Sequence, residues 1–421
     1  MKLRIGGKGR IVRSIVVLLA AIPTGRCWAA DHLEGFLERR SILRKTLISV
    51  DENVRVEEWS ISAKDVPGSG DSARWTVRKS VLHGGRQEGV DAIAVDNGRM
   101  TFRIIPTRGM GLWEARCGDL RLGWESPVTE VVHPQHVELN ARGGLGWLDG
   151  FGEWINRCGL ESNGAPGPDE IIDNNGNPRT IQLTLHGRIS YMPARSVTVS
   201  IDAEPPHTIR IRGIVDEAMM FGPRLRLFAE ISTVPGSTSI TLADEVRNLG
   251  GAPQEMQSLY HCNFGAPLLE DGARFVGPVA KVSPRDPRGA EEDGVAAFDR
   301  YGPPKPGYVE QVYFLELKGD SRGETEVLLK NRAGDRGASL RYALKELPFF
   351  TVWKNTTGRE SGYAVGLEPG TNFPNSRAVE RKAGRVVVLK PGGSHKATLT
   401  VTAHMEAEAV KAAEERIRAI R

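Results

Sequence analysis

The sequence predicts an all-β sandwich. Glycine and proline are abundant, 48 and 25 among 421 residues, so the chain turns often. Between the turns, short apolar or alternating runs recur at 100–106, 181–191, 208–215, 224–234, 239–248, 326–330, 339–344, 349–354, 363–367, 385–389 and 397–403. Short strands separated by turn chemistry make a sandwich or barrel, not a helical bundle. No period of fixed length repeats, which speaks against a propeller. A hydrophobic share of 40% and a charged share of 26% belong to a folded globular chain and exclude wholesale disorder.

Residues 1–29 read as a secretory signal peptide. A basic start precedes the apolar run 15–22, and Cys27-Trp28-Ala29-Ala30 offers small residues for cleavage. The run is too short to span a bilayer permanently. The expectation is an exported chain, periplasmic or extracellular, starting near Ala30, with no stable membrane span after cleavage; an uncleaved anchor is the alternative. The leader also explains the charge. It holds Lys2, Arg4, Lys8, Arg10, Arg13 and Arg26 and no acid, so removing it takes the net charge from +4 to about −2. A nucleic-acid partner is therefore not expected.

Residues 30–75 form an N-terminal extension, and 76–421 the sandwich domain. Within 31–60, Leu33, Phe36, Leu37, Ile42, Leu43 and Leu47 recur at roughly helical spacing, which predicts a helical approach segment. Residues 140–180 are rich in glycine and asparagine and hold Trp147, Phe151, Trp154 and Arg157. A loop that long inside a sandwich is read as functional. Residues 283–308, rich in proline, glycine and charge, read as a surface excursion. The stretch 406–421 puts Val410, Ala413, Ile417 and Ile420 on one face of a terminal helix.

Beyond the leader, only Cys117, Cys158 and Cys262 remain. Three thiols cannot all pair within one chain, and none has a CxxC partner, so neither a disulfide framework nor a thiolate zinc site is implied. His133-Pro134-Gln135-His136 has the spacing of a metal pair but no acid in register. Neither metal nor cofactor is expected.

Three segments carry chemistry. His186 and His261 each have a glycine nearby that lets a ligand or another backbone approach. Each alone also fits a structural histidine. Glu368 ends an apolar strand and precedes Pro369, a placement that can hold a carboxylate partly desolvated and raise its basicity. Alone, it also fits a strand-end acid in solvent.

Together the three segments resemble the aldose 1-epimerase (galactose mutarotase) superfamily, in the family's order. Leu185-His186-Gly187 matches its Leu-His-Gly segment, whose His binds the sugar. His261-Cys262-Asn263-Phe264-Gly265 is similar to its His-x-Tyr-Phe-Asn segment, whose His is the general acid. Leu367-Glu368-Pro369, with Phe373-Pro374-Asn375, is similar to its Glu-x-Gln-x-x-Pro-Asp segment, whose Glu is the general base. The family's Gly-Arg-x-x-Asn-Arg-Ile segment is not present as such; Asn156-Arg157-Cys158-Gly159-Leu160 stands in its place and makes Arg157 a candidate sugar contact. Arg108-Gly109-Met110-Gly111, Cys158–Leu160 and Trp353-Lys354 look like a divergent bacterial branch.

The resemblance implies a galactose mutarotase-like β-sandwich (supersandwich). It also implies an isomerase that interconverts the anomers of a cyclic sugar, with Glu368 removing the anomeric proton and His261 protonating the ring oxygen. His186, Arg157, Asn263 and Arg108 are the polar contacts it suggests, with Trp353 or Trp147 against the ring. Strand alternation sends Trp353 and Lys354 to opposite faces unless the strand bulges. Lys354 in the cleft would point to an acidic or oxidised sugar; outside, it is an edge charge. Two other readings stay open: an epimerase or lyase acting beside a carbonyl of an oxidised sugar, and a non-catalytic carbohydrate-binding module on the same fold. The expected partner is a small sugar, and the expected state a monomer or weak dimer.

Overall fold

Strand alternation divides the apolar side chains between two large antiparallel sheets. The computed structural model describes residues 40–66, 74–291 and 294–420. The first sheet has ten strands, in the order Arg274–Val276, Glu324–Lys330, Gly337–Ala343, Ser394–His404, Ser239–Asn248, Arg224–Thr233, Ile209–Ala218, Ser196–Asp202, Ser41–Ser49 and Val54–Arg55. The main path of the second runs Val279–Pro284, Gln311–Leu317, Phe349–Asn355, Ala364–Gly370, Gln254–Phe264, Ile155–Leu160, Gly111–Cys117, Met100–Ile105, Asp91–Asp96, Thr76–Val81 and Trp59–Ser62. Ile240, Leu242 and Val246 alternate inward from the first sheet. They join one core with Ile104, Leu112, Tyr260, Cys262 and Leu367 of the second. Burying such side chains stabilises the fold by roughly 1.5–3 kcal/mol each. The terminal helix forms at Ala407–Ala419 and buries Val410, Ala413 and Ile417 against Leu328.

The expected helix in 31–60 is not found where it is described. Ser41–Ser49 is a strand paired with Ser196–Asp202, and Trp59–Ser62 pairs with Thr76–Val81. Two register shifts, between Ser41 and Leu43 and between Thr46 and Ile48, break the period-2 pattern and make its apolar spacing look helical. Leu33, Phe36, Leu37 and the leader 1–29 lie outside the described residues. The run 181–191 is no continuous strand either. Its strand, Pro178–Leu183, ends before His186, which sits in a turn with φ 55°, and a short 3-10 turn follows at Ile189–Tyr191. The long loop 140–180 contains that strand's hairpin partner, Gly167–Ile172.

Among the described residues, no helix is long and apolar enough to cross a membrane. No cluster of three or more His, Cys, Asp or Glu there is placed to hold a metal, and the His133 ring instead accepts from the Gln135 backbone N–H.

Candidate active site

The site is built on the outward face of the second sheet, where three neighbouring strands set its residues. Strand Gln254–Phe264 lies between Ile155–Leu160 and Ala364–Gly370. Side chains repeat on one face every second residue, so Gln257, Leu259, His261 and Asn263 share a face. Asn156 stands directly opposite His261, and Gly366 opposite Asn263. Glu368 is two residues on from Gly366, on that same face, with Thr351 across from it.

This register brings His261 Nε2 to 3.2 Å from Glu368 Oε1. Gly366 makes the approach possible. A Cβ there would lie 2.4 Å from Glu368 Oε1 and 3.1 Å from His261 Cε1. Gly366→Ala is therefore expected to displace the carboxyl and cut turnover about 10²-fold, the usual cost of misplacing a reacting group by about an ångström. Its thermal melt should stay near wild type, because this strand backbone accepts alanine; an alanine variant with wild-type turnover would refute the role of the gap.

Hydrogen bonds fix the imidazole. Asn263 Nδ2 donates to the carbonyls of Glu153 at 3.0 Å and His261 at 3.2 Å, which leaves its Oδ1 to accept from His261 Nδ1–H at 2.7 Å. The lone pair of a neutral ring then sits on Nε2. Both partners are almost sealed, at 5% and 2% exposure. Burial pushes the Glu368 carboxyl well above its ordinary range; Glu310 adds to the shift and Arg285 opposes it. Burial pushes His261 down to about 4, against the hydrogen bond to Asn263. Burial thus favours the neutral form of each group, with His261 Nε2 and Glu368 Oε1 3.2 Å apart.

His186 completes a row. Its ring centroid lies 5.4 Å from that of His261, and its Nδ1 is 3.2 Å from Asn163 Oδ1. Burial and then His261 hold it well below the usual imidazole range. The turn is glycine-dependent: a Cβ on Gly187 would meet Ser162 O at 2.2 Å. Aromatic rings cover the row. Trp147 lies 4.8 Å from His186 with its ring tilted by 58°, and Phe151 and Trp353 lie 5.1 and 5.5 Å from His261. The glycine-rich loop thus supplies two of the rings over the site, while its Trp154 is buried in the core between the sheets. Trp124, which the sequence did not single out, packs against Phe151 and Trp353.

Three expected sugar contacts are engaged elsewhere. Arg157 follows Asn156 on its strand and therefore faces the opposite way, into the sandwich core. There it holds Asp244 of the other sheet, Nε to Oδ2 at 2.6 Å and Nη2 to Oδ1 at 3.0 Å, while Tyr260 Oη donates to Asp244 at 2.8 Å. Arg108 is fully buried. It pairs with Glu153 at 2.5 Å, donates to the carbonyls of Ser190, Val132 and Gly150, and lies over the Tyr191 ring. It ties down the segments around Trp147 and Phe151. Lys354 takes the face away from the cleft, as alternation requires. Its Nζ donates to Ala297 O at 3.2 Å and approaches the Tyr301 ring. Asn263 serves the His261 ring and is a positioning residue.

The segment 283–308 is more than a surface excursion. It buries Tyr301 beside Lys354 and carries Arg285, and Glu310 follows on its flank. Glu310 accepts from Trp353 Nε1 at 2.6 Å and pairs with Arg285 at 3.2 Å, so this segment orients a ring of the site.

Residues 87–403 match the family model described as Domain of unknown function (DUF4432). A solved protein of Klebsiella pneumoniae, provisionally named as an aldose 1-epimerase, is 35% identical with a TM-score of 0.83, over 90% of this chain and 95% of that one. A galactose mutarotase-like protein of Clostridium acetobutylicum is 14% identical with a TM-score of 0.52, over 78% of this chain and 98% of that one. A Synechocystis protein is 13% identical with a TM-score of 0.52, over 74% and 95%. The last two show a shared fold alone. No curated protein matches the sequence at a significant level.

Proposed function

The chain belongs to the DUF4432 family, within the aldose 1-epimerase (galactose mutarotase-like) superfamily, and from that premise we propose that it is a sugar isomerase that interconverts the anomers of a neutral cyclic sugar. One observation carries this reading: a buried carboxyl and a buried imidazole face each other at 3.2 Å. Anomer exchange needs a base on the anomeric hydroxyl and an acid on the ring oxygen. Glu368 as carboxylate and His261 as imidazolium are one proton transfer away from the acid–imidazole pair described above. A sugar entering between them donates its anomeric O–H to Glu368 and receives a proton from His261 Nε2 at the ring oxygen. Each positioned transfer is worth roughly 10²–10⁴-fold.

The superfamily's uncatalysed reaction is a simple ring opening, so this pair suffices. His186 Nε2 points its remaining hydrogen-bonding capacity at a ring hydroxyl, and Trp353 and Trp147 lie beside the ring. Entry of a sugar requires the Trp147 and Phe151 rings to move, and the stretch 143–152 that carries them contains five glycines: Gly143, Gly144, Gly146, Gly150 and Gly152. A neutral substrate is supported because Arg157, Arg108 and Lys354 all hold protein groups instead.

The test is exchange NMR of a sugar panel with wild-type protein. It separates anomer exchange from inversion at another carbon and from elimination. Catalysed exchange between anomers is the expected result; only binding, with no exchange on any sugar, would leave a carbohydrate-binding module.

Export is a second proposal, resting on the basic-apolar-small pattern of 1–29. Mass spectrometry of the native protein should find a chain starting near Ala30. A mature protein with Met1 intact in the cytoplasm would overturn it.

A further inference from the structure

We propose that one end of the first sheet is a two-fold dimer interface, in which the Met219-Met220-Phe221 hairpin tip of each copy of this chain enters a groove on the other. None of these residues belongs to the candidate active site, so the dimer stands or falls apart from the sugar-isomerase reading.

Among the described residues, the three most exposed large apolar side chains are Met220 at 78%, Phe221 at 70% and Ile172 at 66%. All three line one groove of about 1230 Å³, as does Met219. Single exposed apolar residues are ordinary, but a contiguous group rimmed by charge marks an interaction surface. Methionine side chains suit such a surface because they are flexible and polarizable.

Both walls of the groove are held in place without a partner. Strands Ile209–Ala218 and Arg224–Thr233 pair up to Ala218 and Arg224, and the tip closes with Met219 N donating to Pro223 O at 3.0 Å. Pro223 is buried at its base. The opposite wall is the hairpin of Gly167–Ile172 and Pro178–Leu183, fixed where Arg381 Nη1 donates to Asp169 Oδ1 at 2.6 Å. Phe221 takes φ 60°, a left-handed conformation that suits Gly, Asn or Asp and costs a bulky residue stability. A strained ring left in solvent does nothing for the monomer; seated in a second copy, it buries its apolar surface.

A second copy is the occupant that matches the groove. Tip and groove lie side by side on one face, so a two-fold axis between them lets each tip fill the other copy's groove. The charges fit the same axis. Arg224 at the foot of the tip and Glu170 on the opposite wall both line the groove, are exposed, and have no ion-pair partner among the described residues. The axis sets Arg224 of one copy against Glu170 of the other, twice. About twenty residues line the groove, as on one side of a standard interface, roughly 20–30. A sugar pocket is smaller, roughly 300–1,000 Å³. A lipid surface fits poorly: Arg377 and Arg381 are held by Asp169 and Glu255, which leaves Arg224 as the groove's one unpaired cation.

Sedimentation velocity of the purified full protein over a concentration series tests this, beside Phe221→Asn, Arg224→Glu and Glu170→Arg. Wild type should pass from monomer to dimer as concentration rises. Phe221→Asn removes the ring but accepts the left-handed backbone, so it should raise the dimer Kd at least about tenfold. Its melting temperature, compared at a concentration where both proteins are monomers, should be unchanged or higher. Arg224→Glu and Glu170→Arg should each weaken the dimer alone, and an equimolar mixture of the two should recover wild-type association. In the mixed dimer every pair across the axis is again one acid and one base, and no effect within a single chain produces that rescue. A wild type that stays monomeric, or a dimer that Phe221→Asn leaves intact, would overturn the interface. A dimer that Phe221→Asn weakens but with no recovery in the mixture would overturn the two-fold placement. Monomeric protein that floats with vesicles of phosphatidylcholine and phosphatidylglycerol, and fails to as Phe221→Asn, would overturn the dimer and assign the tip to a lipid surface.

Discussion

Glu368→Gln should lower the rate of anomer exchange by roughly 10²–10⁴-fold while sugar affinity changes much less. The amide keeps the carboxyl's volume and one acceptor oxygen but takes no proton at neutral pH. It also still fills the space that Gly366 leaves and can still donate toward His261 Nε2, so the fold should survive. The pH profile of wild type follows from the same pair, whose two steps belong to both groups together. Below about 4, a second proton on His261 leaves Glu368 with no capacity as a base. Above the raised Glu368 value, the pair has lost its one proton and His261 has none to give. Activity should therefore fall at both ends and hold between them. Full turnover by the Glu368→Gln protein would remove the mechanism while leaving the fold untouched.

What was legible in the sequence depended on whether a strand has one buried face. Arg224–Thr233 and Ser239–Asn248 alternate because one side meets the core and the other carries charge, and their bounds were readable to within a residue. Ile155–Leu160 is buried at every position. Its polar Asn156 and Arg157 are buried as well, held through Asn156 Nδ2 to Glu153 and through Arg157 to Asp244, so no alternation marks it as a strand. The same holds for the second half of Gln254–Phe264, where His261 lies three residues before the strand's end.

The three chemical segments were found because each combines an unusual residue with a local glycine or proline. Their partners were not, because partnership is a matter of register between distant strands. Gly366 is an unremarkable glycine until Glu368 and His261 close on either side of it. Asn163 could not be found from the sequence, because its contact with His186 arises from the turn packed on Pro374 and Asn375.

Arg157 shows the limit most clearly, because a motif assigns a segment but not a face. Moving one residue along a strand exchanges solvent for core. Arg157→Met should therefore act on stability and not on sugar binding. The substitution leaves Asp244 inside the sandwich with Tyr260 as its remaining donor, and breaking a buried pair on one side costs about 3–5 kcal/mol. Replacing both partners, as Arg157→Met with Asp244→Leu, should recover much of that loss, since no uncompensated charge is left between the sheets. Chemical denaturation of the two single variants and the double variant measures the coupling directly. A sugar-contacting arginine would give the reverse result: a raised KM, an unchanged unfolding midpoint and no rescue by the second substitution. The bidentate grip of Arg157 on the opposite sheet argues for the stability effect, and it leaves sugar recognition to uncharged groups beside His186.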